Sequence, residues 1–314
     1  MGASQITGMS LRIPDSGALV VLAMMTIGCG DHARSNPDSA RALPPVYPGA
    51  PAANTGWDTD AGPVMITPME NNFDTAAVIV PEATDSTVLI VETMSAPVAG
   101  LTFDLFGRGG RVASGVRVSP LPPVDTTKRD CYGWPLTRLL EKPPEWAVGF
   151  VNGRATAIAI DSIEAMRTAD SASMAAALTR AAATLPGVSD PTFRGLPFRV
   201  RTAYKFRVDS IDVVVADVIR TVNEEANPRI EHLLIVGERL TGSASTFTVR
   251  YSNRTAGSEE STQASELLSV VAIGESKKPA IVLGIEYTEG RRLGLLERVA
   301  GEWRASWRSA YTDC

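Results

Sequence analysis

Histidine is nearly missing from this chain: His32 and His232 are the only two in 314 residues. Histidine is the commonest general base and metal ligand near neutral pH, so its scarcity narrows the mechanisms open to the protein. Cysteine is also rare, with Cys29, Cys131 and Cys314 and no Cys-x-x-Cys pair. Lysine occurs at only Lys128, Lys142, Lys205, Lys277 and Lys278, the remaining basic residues being arginine, which reads as coding bias. With 30 basic and 35 acidic residues the net charge is −5, and a chain without a dense basic surface is not expected to bind nucleic acid. Gly-x-Ser-x-Gly, His-Glu-x-x-His, Ser-x-x-Lys, a P-loop and Gly-x-Gly-x-x-Gly are all absent, so no cofactor and no catalytic residue is assigned. A membrane span needs about 20 apolar residues, and the strongest run here is little more than half of that.

What is present is a chain of ordinary globular composition, 44% hydrophobic and 21% charged, long enough for one large domain or two modest ones. Its longest uncharged apolar stretch, Ala18 to Gly28, follows Arg12 and runs into Cys29. A short apolar run near an N-terminus after a basic residue fits the h-region of a signal peptide, with translation starting at Met1 or at Met9. Thr26-Ile27-Gly28-Cys29 resembles the lipobox of bacterial lipoproteins. The resemblance covers about the first 30 residues and implies cleavage before Cys29 and acylation of that cysteine, several acyl chains on one residue giving stable anchoring. It also implies a lipid-anchored protein on the periplasmic side of a bacterial envelope. Gly30, rather than aspartate, follows the cysteine, which favours the outer membrane in a Gram-negative envelope.

Residues 29–63 are rich in Pro, Ala, Ser, Asn, Asp and Gly and carry no apolar period. Such a composition buries too little surface to offset ordering entropy, so a disordered tether of about 34 residues, spanning roughly 30 Å, is expected. If Cys29 carries lipid, Cys131 and Cys314 remain as a candidate disulfide in an oxidising compartment, the alternative being two free thiols.

The body reads as mainly β. Ala76–Pro81 and Thr87–Thr93 flank a turn, Gly100–Gly107 alternates Leu101, Phe103 and Leu105 with Thr102 and Asp104, and Arg111–Val118 follows. Trp146–Val151 and Arg154–Ile160 are joined by Asn152-Gly153, a strong hairpin signal. One alanine-rich helix is expected near 171–185, with Met174, Ala177, Leu178, Ala181 and Leu185 on one face, a cap at Asp170 or Ser171 and a stop at Pro186-Gly187. Strands then follow at Phe198–Val208, Ile211–Arg220, Ile230–Leu240, Phe247–Tyr251, Leu267–Ile273, Ala280–Tyr287, Leu293–Arg298 and Glu302–Tyr311, with short connections that suit antiparallel neighbours. In the last, Trp303, Trp307 and Tyr311 are expected to share a face. A segment at 74–127 is expected as a β subdomain and 128–314 as the main domain.

Strands beginning at Pro228 and Pro279 echo each other about 50 residues apart, a length compatible with propeller blades. They weakly resemble the integrin-type blade repeats of bacterial surface proteins, without that family's Asp-rich calcium loop. The fold class expected is therefore antiparallel sheets, sandwich-like or degenerate propeller-like, with one helix.

Three surface features remain as candidate sites. Arg199, Arg201, Lys205 and Arg207 are expected on one strand face, opposite Phe198, Val200, Tyr204, Phe206 and Val208, as an anion-binding stripe or a face neutralised by neighbouring acids. Glu224, Glu225 and Glu231 form an acidic group without calcium-loop spacing, and Glu259-Glu260 reads the same way; no metal is assigned. His232 follows Glu231 on a strand, so the two are expected to face opposite ways and cannot readily share a site. The lipobox-like site, the tether and the missing catalytic signatures favour a non-enzymatic binding or structural lipoprotein, partnered by the membrane and by an envelope protein or anionic polymer. The alternative is a periplasmic hydrolase of saccharide or peptidoglycan using paired carboxylates.

Overall fold

The computed structural model describes residues 65–69, 72–79, 100–119, 133–137, 145–186, 190–222, 225–243, 246–287 and 290–309. The leader, Cys29, the 29–63 segment, the strand expected at 87–93, Cys131, Glu224, Tyr311 and Cys314 lie outside these residues. None of the described helices is long and apolar enough to cross a membrane.

The described part is mostly antiparallel β with one helix. Strands β1 (Met65–Met69), β2 (Asn72–Ile79), β3 (Thr102–Gly107), β4 (Gly110–Val118), β5 (Trp134–Thr137) and β6 (Val148–Val151) close into a barrel in the order β1-β2-β5-β4-β3-β6. Alternation along β3 sends Phe103 and Leu105 inward to meet Ile66, Val116, Trp134 and Trp146. Phe106 points outward with Met65, Val148 and Phe150, and the Phe106 and Phe150 rings meet edge to face at 5.7 Å. Gly149 on β6 leaves the space that Ile66 and Leu105 fill: a Cβ there would lie 2.6 Å from Ile66 Cγ1 and 2.8 Å from Leu105 Cδ2.

The chain leaves the barrel at Asn152-Gly153. The turn forms, with Arg154 N–H donating to the Val151 carbonyl at 2.9 Å, but the expected hairpin does not. Strand β6 pairs with β1 and β3, whereas β7 (Ala155–Ala157) pairs with β13 (Ala264–Ile273) in another sheet. With β1 and β3 on its two edges, β6 has no edge left for the outgoing strand, and Asp104 holds the turn. Its buried carboxylate accepts from Ser114 Oγ (2.6 Å), Asn152 Nδ2 (2.7 Å) and the Gly153 amide (3.0 Å). The turn is thereby fixed to the barrel wall, and the outgoing strand is directed away.

Two five-stranded sheets follow. The inner sheet has the order β16-β15-β14-β13-β7 and the outer sheet β12-β11-β10-β9-β8. The outer sheet holds β8 (Ile160–Ser162), β9 (Arg199–Val208), β10 (Ile211–Val222), β11 (Arg229–Leu240) and β12 (Thr248–Ser258). The inner sheet adds β13 (Ala264–Ile273), β14 (Lys278–Tyr287), β15 (Gly290–Val299) and β16 (Glu302–Arg308) to β7. Each sheet is a four-stranded meander with one short strand on its edge. They stack face to face through Phe206, Val213, Val215, Leu234, Val236, Val270, Ile281, Leu283 and Trp303, which is a sandwich and not a ring of blades. The two echoed segments, β11 and β14, are the third strand of one meander and the second of the other, so they are not equivalent positions.

The far face of the inner sheet packs on the barrel through Leu268, Val271, Val282, Leu293 and Leu295. The far face of the outer sheet is covered by helix α1 (Thr168–Thr184) through Met174, Leu178 and Ala182. The helix starts a few residues before the expected cap. Arg167 holds the N-cap position without a side-chain cap bond, and its Nε lies 2.9 Å from Asp170 Oδ2 in the first turn, where a carboxylate also complements the helix dipole.

Bulges correct two expected faces. On β9, Ala203, Thr202 and Val200 pair with Ala216, Asp217 and Val218, leaving Arg201 as the extra residue. A one-residue insertion reverses the alternation. Phe198 and Val200 therefore join the helix side, while Tyr204, Phe206 and Val208 face the inner sheet. On β16 the extra residue is Ser306. Trp303 accordingly packs between the sheets and Trp307 against the barrel side, so they do not share a face.

Two measurements check this frame. Gly149→Ala overpacks the barrel interior and should cost about 1–3 kcal/mol in urea denaturation; an unchanged midpoint contradicts the close approach. For Asp104, burial pushes the carboxyl up from its ordinary 3.8, but hydrogen bonds from Gly153, Ser114, Asn152 and Gly115 outweigh it and hold the group lower. Its ionised form thus stabilises the fold above the unfolded-state value, and that contribution is lost as pH falls through the folded-state value. The stability gap between the protein and Asp104→Asn should stay level from about pH 8 to about pH 5 and shrink below about pH 4. A gap independent of pH down to about pH 3 contradicts this account.

Candidate functional site

A cleft of about 620 Å³ opens where the barrel meets the inner sheet. The β3–β4 hairpin supplies its edge. Gly107 pairs with Gly110, leaving Arg108-Gly109 as a two-residue loop, and Gly110 has φ +107°, a conformation that favours glycine. The tight loop holds Arg108 at its tip. Its Nη1 donates to the Tyr204 hydroxyl at 2.8 Å, and its Nη2 lies 3.4 Å from Glu266 Oε1 on β13. The other carboxylate oxygen of Glu266 lies 3.5 Å from Arg291 Nη2 on β15. The hydrogen bond to Tyr204 raises the Arg108 pKa; burial opposes it, and the charges of Glu266 and Glu145 add to the rise.

Arg291 reaches Glu266 across β14, and Gly284 makes the crossing possible. Glu266 is the cross-strand partner of Gly284, and a Cβ on Gly284 would lie 2.5 Å from Arg291 Nη2. Glycine inside a strand often marks such a close approach. The opposite wall carries Pro68, Phe73, Val112 and Trp146. The Trp146 indole is fixed by its Nε1–H, which donates to the Phe73 carbonyl at 3.0 Å. The cleft therefore joins a guanidinium–carboxylate–guanidinium row to an apolar wall. Glu266 has one oxygen next to each of the two arginines.

Several other ionisable groups form three internal clusters. Under the helix, Glu231 is fully buried and paired with Arg220 and with Arg254 Nη1 at 2.9 Å. The Arg220 guanidinium also sits 4.6 Å from the Phe198 ring centre, a cation–π contact. Between the sheets, Asp217 Oδ2 accepts from Arg201 Nε and lies 2.9 Å from His232 Nδ1, while Arg201 Nη2 donates to the Ser265 carbonyl at 3.3 Å, joining the two sheets. At another point of the same interface, Glu238 accepts from Arg298 (2.7 and 3.2 Å) and from Trp303 Nε1 (2.7 Å).

The residues singled out from sequence fall as follows. Glu231 and His232 do point to opposite faces, one to Arg220 and one to Asp217. Arg199, Arg201, Lys205 and Arg207 do not form one continuous face, because the bulge at Arg201 lies within them. Arg201 turns to buried Asp217, Lys205 lies 3.7 Å from Asp161 and Arg207 lies 3.3 Å from Asp212; Arg199 is exposed. Burial would raise the Asp212 carboxyl, but Thr241, Arg207 and Arg239 together hold it below its ordinary value. Glu231 is engaged beneath the helix, while Glu225 is exposed in a turn. Glu259 and Glu260 line a separate cleft with Glu286. Among the described residues no group of three or more His, Cys, Asp or Glu is placed to hold a metal ion. Cys29, Cys131 and Cys314 lie outside the described residues. Sequence reading passed over Arg108, Glu266 and Arg291; the available signals were Gly284 inside a strand and the glycines flanking Arg108.

Removing one member of a buried ion cluster leaves an uncompensated charge, so Glu231→Leu should destabilise by about 3–5 kcal/mol. The triple variant Glu231→Leu, Arg220→Met, Arg254→Leu should recover much of that loss in denaturant titration. A triple variant no more stable than the single one contradicts the pairing. Comparisons with protein-family models, with curated proteins and with solved structures return no match for this chain.

Proposed function

We propose that this chain is a membrane-anchored envelope lipoprotein whose β-rich body binds or braces and does not catalyse. The lipobox-like Thr26-Ile27-Gly28-Cys29 supports the anchor. The apolar-poor 29–63 segment supports a tether between lipid and body. The observation that carries the non-catalytic part is the use of the body's charged groups. His232 is held by Asp217, and Glu231 and Glu238 are enclosed by arginines. All three are buried, and groups so enclosed serve the fold and lie out of reach of a substrate.

In this reading the protein faces the periplasm, with the outer membrane favoured because Gly30 follows Cys29. A Cys131–Cys314 disulfide belongs to the same reading, and its partner is an envelope protein or an anionic polymer. The test is detergent phase partitioning of the mature protein, with mass spectrometry of its N-terminal peptide. The wild type should enter the detergent phase with diacylglyceryl and acyl mass on an N-terminal peptide that begins at Cys29, and Cys29→Ala should show neither that mass nor the cut before residue 29. An unmodified N-terminal peptide in the wild type, or the same acyl mass in Cys29→Ala, overturns the anchor.

A further inference from the structure

We propose that the slot between helix α1 and the outer sheet binds a long-chain fatty acid, its chain inside and its carboxylate at Arg180. The inference deepens the binding-module reading and rests on it. The slot exists because small residues face each other across it. The helix seats on the sheet through Met174, Leu178 and Ala182, which are buried. Beside them Ala177 and Ala181 are only partly buried and border an open volume of about 360 Å³. An alanine side chain ends at Cβ and does not fill the gap. On the sheet side Gly237 has no Cβ at all, and one placed there would lie 3.1 Å from Phe247 Cβ and 3.2 Å from Val214 Cγ1. A bulge supplies the side wall. Tyr251 pairs with Val236 and Val249 with Gly237, so Arg250 is the extra residue of β12. The alternation reverses there, and Phe247 and Val249 join the helix side while Tyr251 faces the inner sheet.

The floor sets the body of the ligand. Val214 and Ile235 are buried beneath the slot. Their aliphatic side chains offer water none of the hydrogen bonds that a buried water needs. A methylene that takes the place of water there gains the free energy of leaving solvent. Flanked by alanine and glycine, the gap is narrow, the shape that an unbranched chain fits best. A volume of about 360 Å³ lies at the low end of small-molecule sites, which suits one chain and not the two of a phospholipid.

The rim sets the head. Arg180, Thr184 and Thr246 are exposed and supply the polar side chains of the lining, and no carboxylate is among the described lining residues. Three and four positions from Arg180 the helix carries Ala176, Ala177, Ala183 and Thr184, so no acid of its own helix sits beside it. Asp170, in the first turn, is about three turns away and is held by Arg167. On this face of the sheet Asp161 pairs with Lys205, Asp212 with Arg207 and Arg239, and Glu231 with Arg220 and Arg254. Arg180 thus stands at the mouth of an apolar slot without a described acid partner. Its planar fork matches the two oxygens of a carboxylate, and its one charge matches one carboxylate.

The test uses the full chain in phosphatidylcholine nanodiscs. The probe is palmitate carrying a mid-chain diazirine, and the readout is peptide mass spectrometry after photolysis. Label should concentrate on the peptides that hold residues 177–184 and 246–249, and excess palmitate should remove it. Ala181→Phe, which fills the slot, should cut labelling there at least about tenfold. Ala177→Leu is a second filler with the same expected effect, and the urea midpoint of each variant reports that it folds. Palmitate should compete about threefold better than hexadecanol at equal mole fraction, the size of an exposed charge pair. Arg180→Gln, at an exposed position, should erase that difference, and this comparison stands whether or not a filler folds. Label spread evenly over the body, label that survives both fillers, or equal competition by palmitate and hexadecanol in the wild type overturns the proposal. Loss of label when phosphatidylglycerol replaces part of the phosphatidylcholine also overturns it, because the ligand is then a phospholipid. The labelling runs equally on protein that carries no lipid, so its failure is separable from a failure of the anchor.

Discussion

The inner sheet is covered on both faces, and the rest of the molecule depends on that. Antiparallel sheets commonly leave one face to water and show apolar and polar residues in alternation. Here β14 runs Ala280, Ile281, Val282, Leu283, all buried, with even positions toward the barrel and odd positions toward the outer sheet. The barrel and the sandwich thus share one layer. The strands of the barrel run from Met65 to Val151, and the side of the barrel formed by Met65, Phe106, Val148 and Phe150 finds its cover on that sheet. Burial of this kind is the dominant favourable term in folding, at about 25 cal/mol per Å² of apolar surface.

A sheet buried on both faces leaves little room for polar atoms, and the protein places them at defined points. Arg201 is expelled from the ladder by a bulge and then reaches Asp217 and the Ser265 carbonyl, linking the two sheets. Glu238 does the same through Arg298 and Trp303. Arg108 crosses from the barrel to both sheets. Arginine suits all three because its planar fork serves several acceptors at once and is weakly hydrated for its charge. The arginine bias of the sequence, attributed first to coding, therefore has structural use as well.

The β class, the antiparallel meanders and helix α1 were legible in the sequence because period-two runs, turn residues and the Met174–Leu178 spacing are local signals. The opposite orientation of Glu231 and His232 was legible for the same reason. What escaped was set by distant residues. The Asn152-Gly153 hairpin signal was a true turn signal, but β1 and β3 already occupy both edges of β6, and Asp104, far back in the chain, holds the turn to the barrel. The faces of β9 and β16 were misassigned because a bulge reverses parity without any sequence mark. The cleft was not legible, because Arg108 comes from a hairpin loop and Glu266 and Arg291 from two strands, and they meet only through the fold.

The central claim is that barrel and sandwich share one core and open together. Native-state hydrogen exchange in increasing urea tests it most directly, by comparing the slowest amides of β3 in the barrel with those of β14 in the inner sheet. The account predicts that both sets merge onto one opening free energy with one urea dependence. Barrel amides that exchange through a separate, lower-energy opening while β14 stays protected would contradict it.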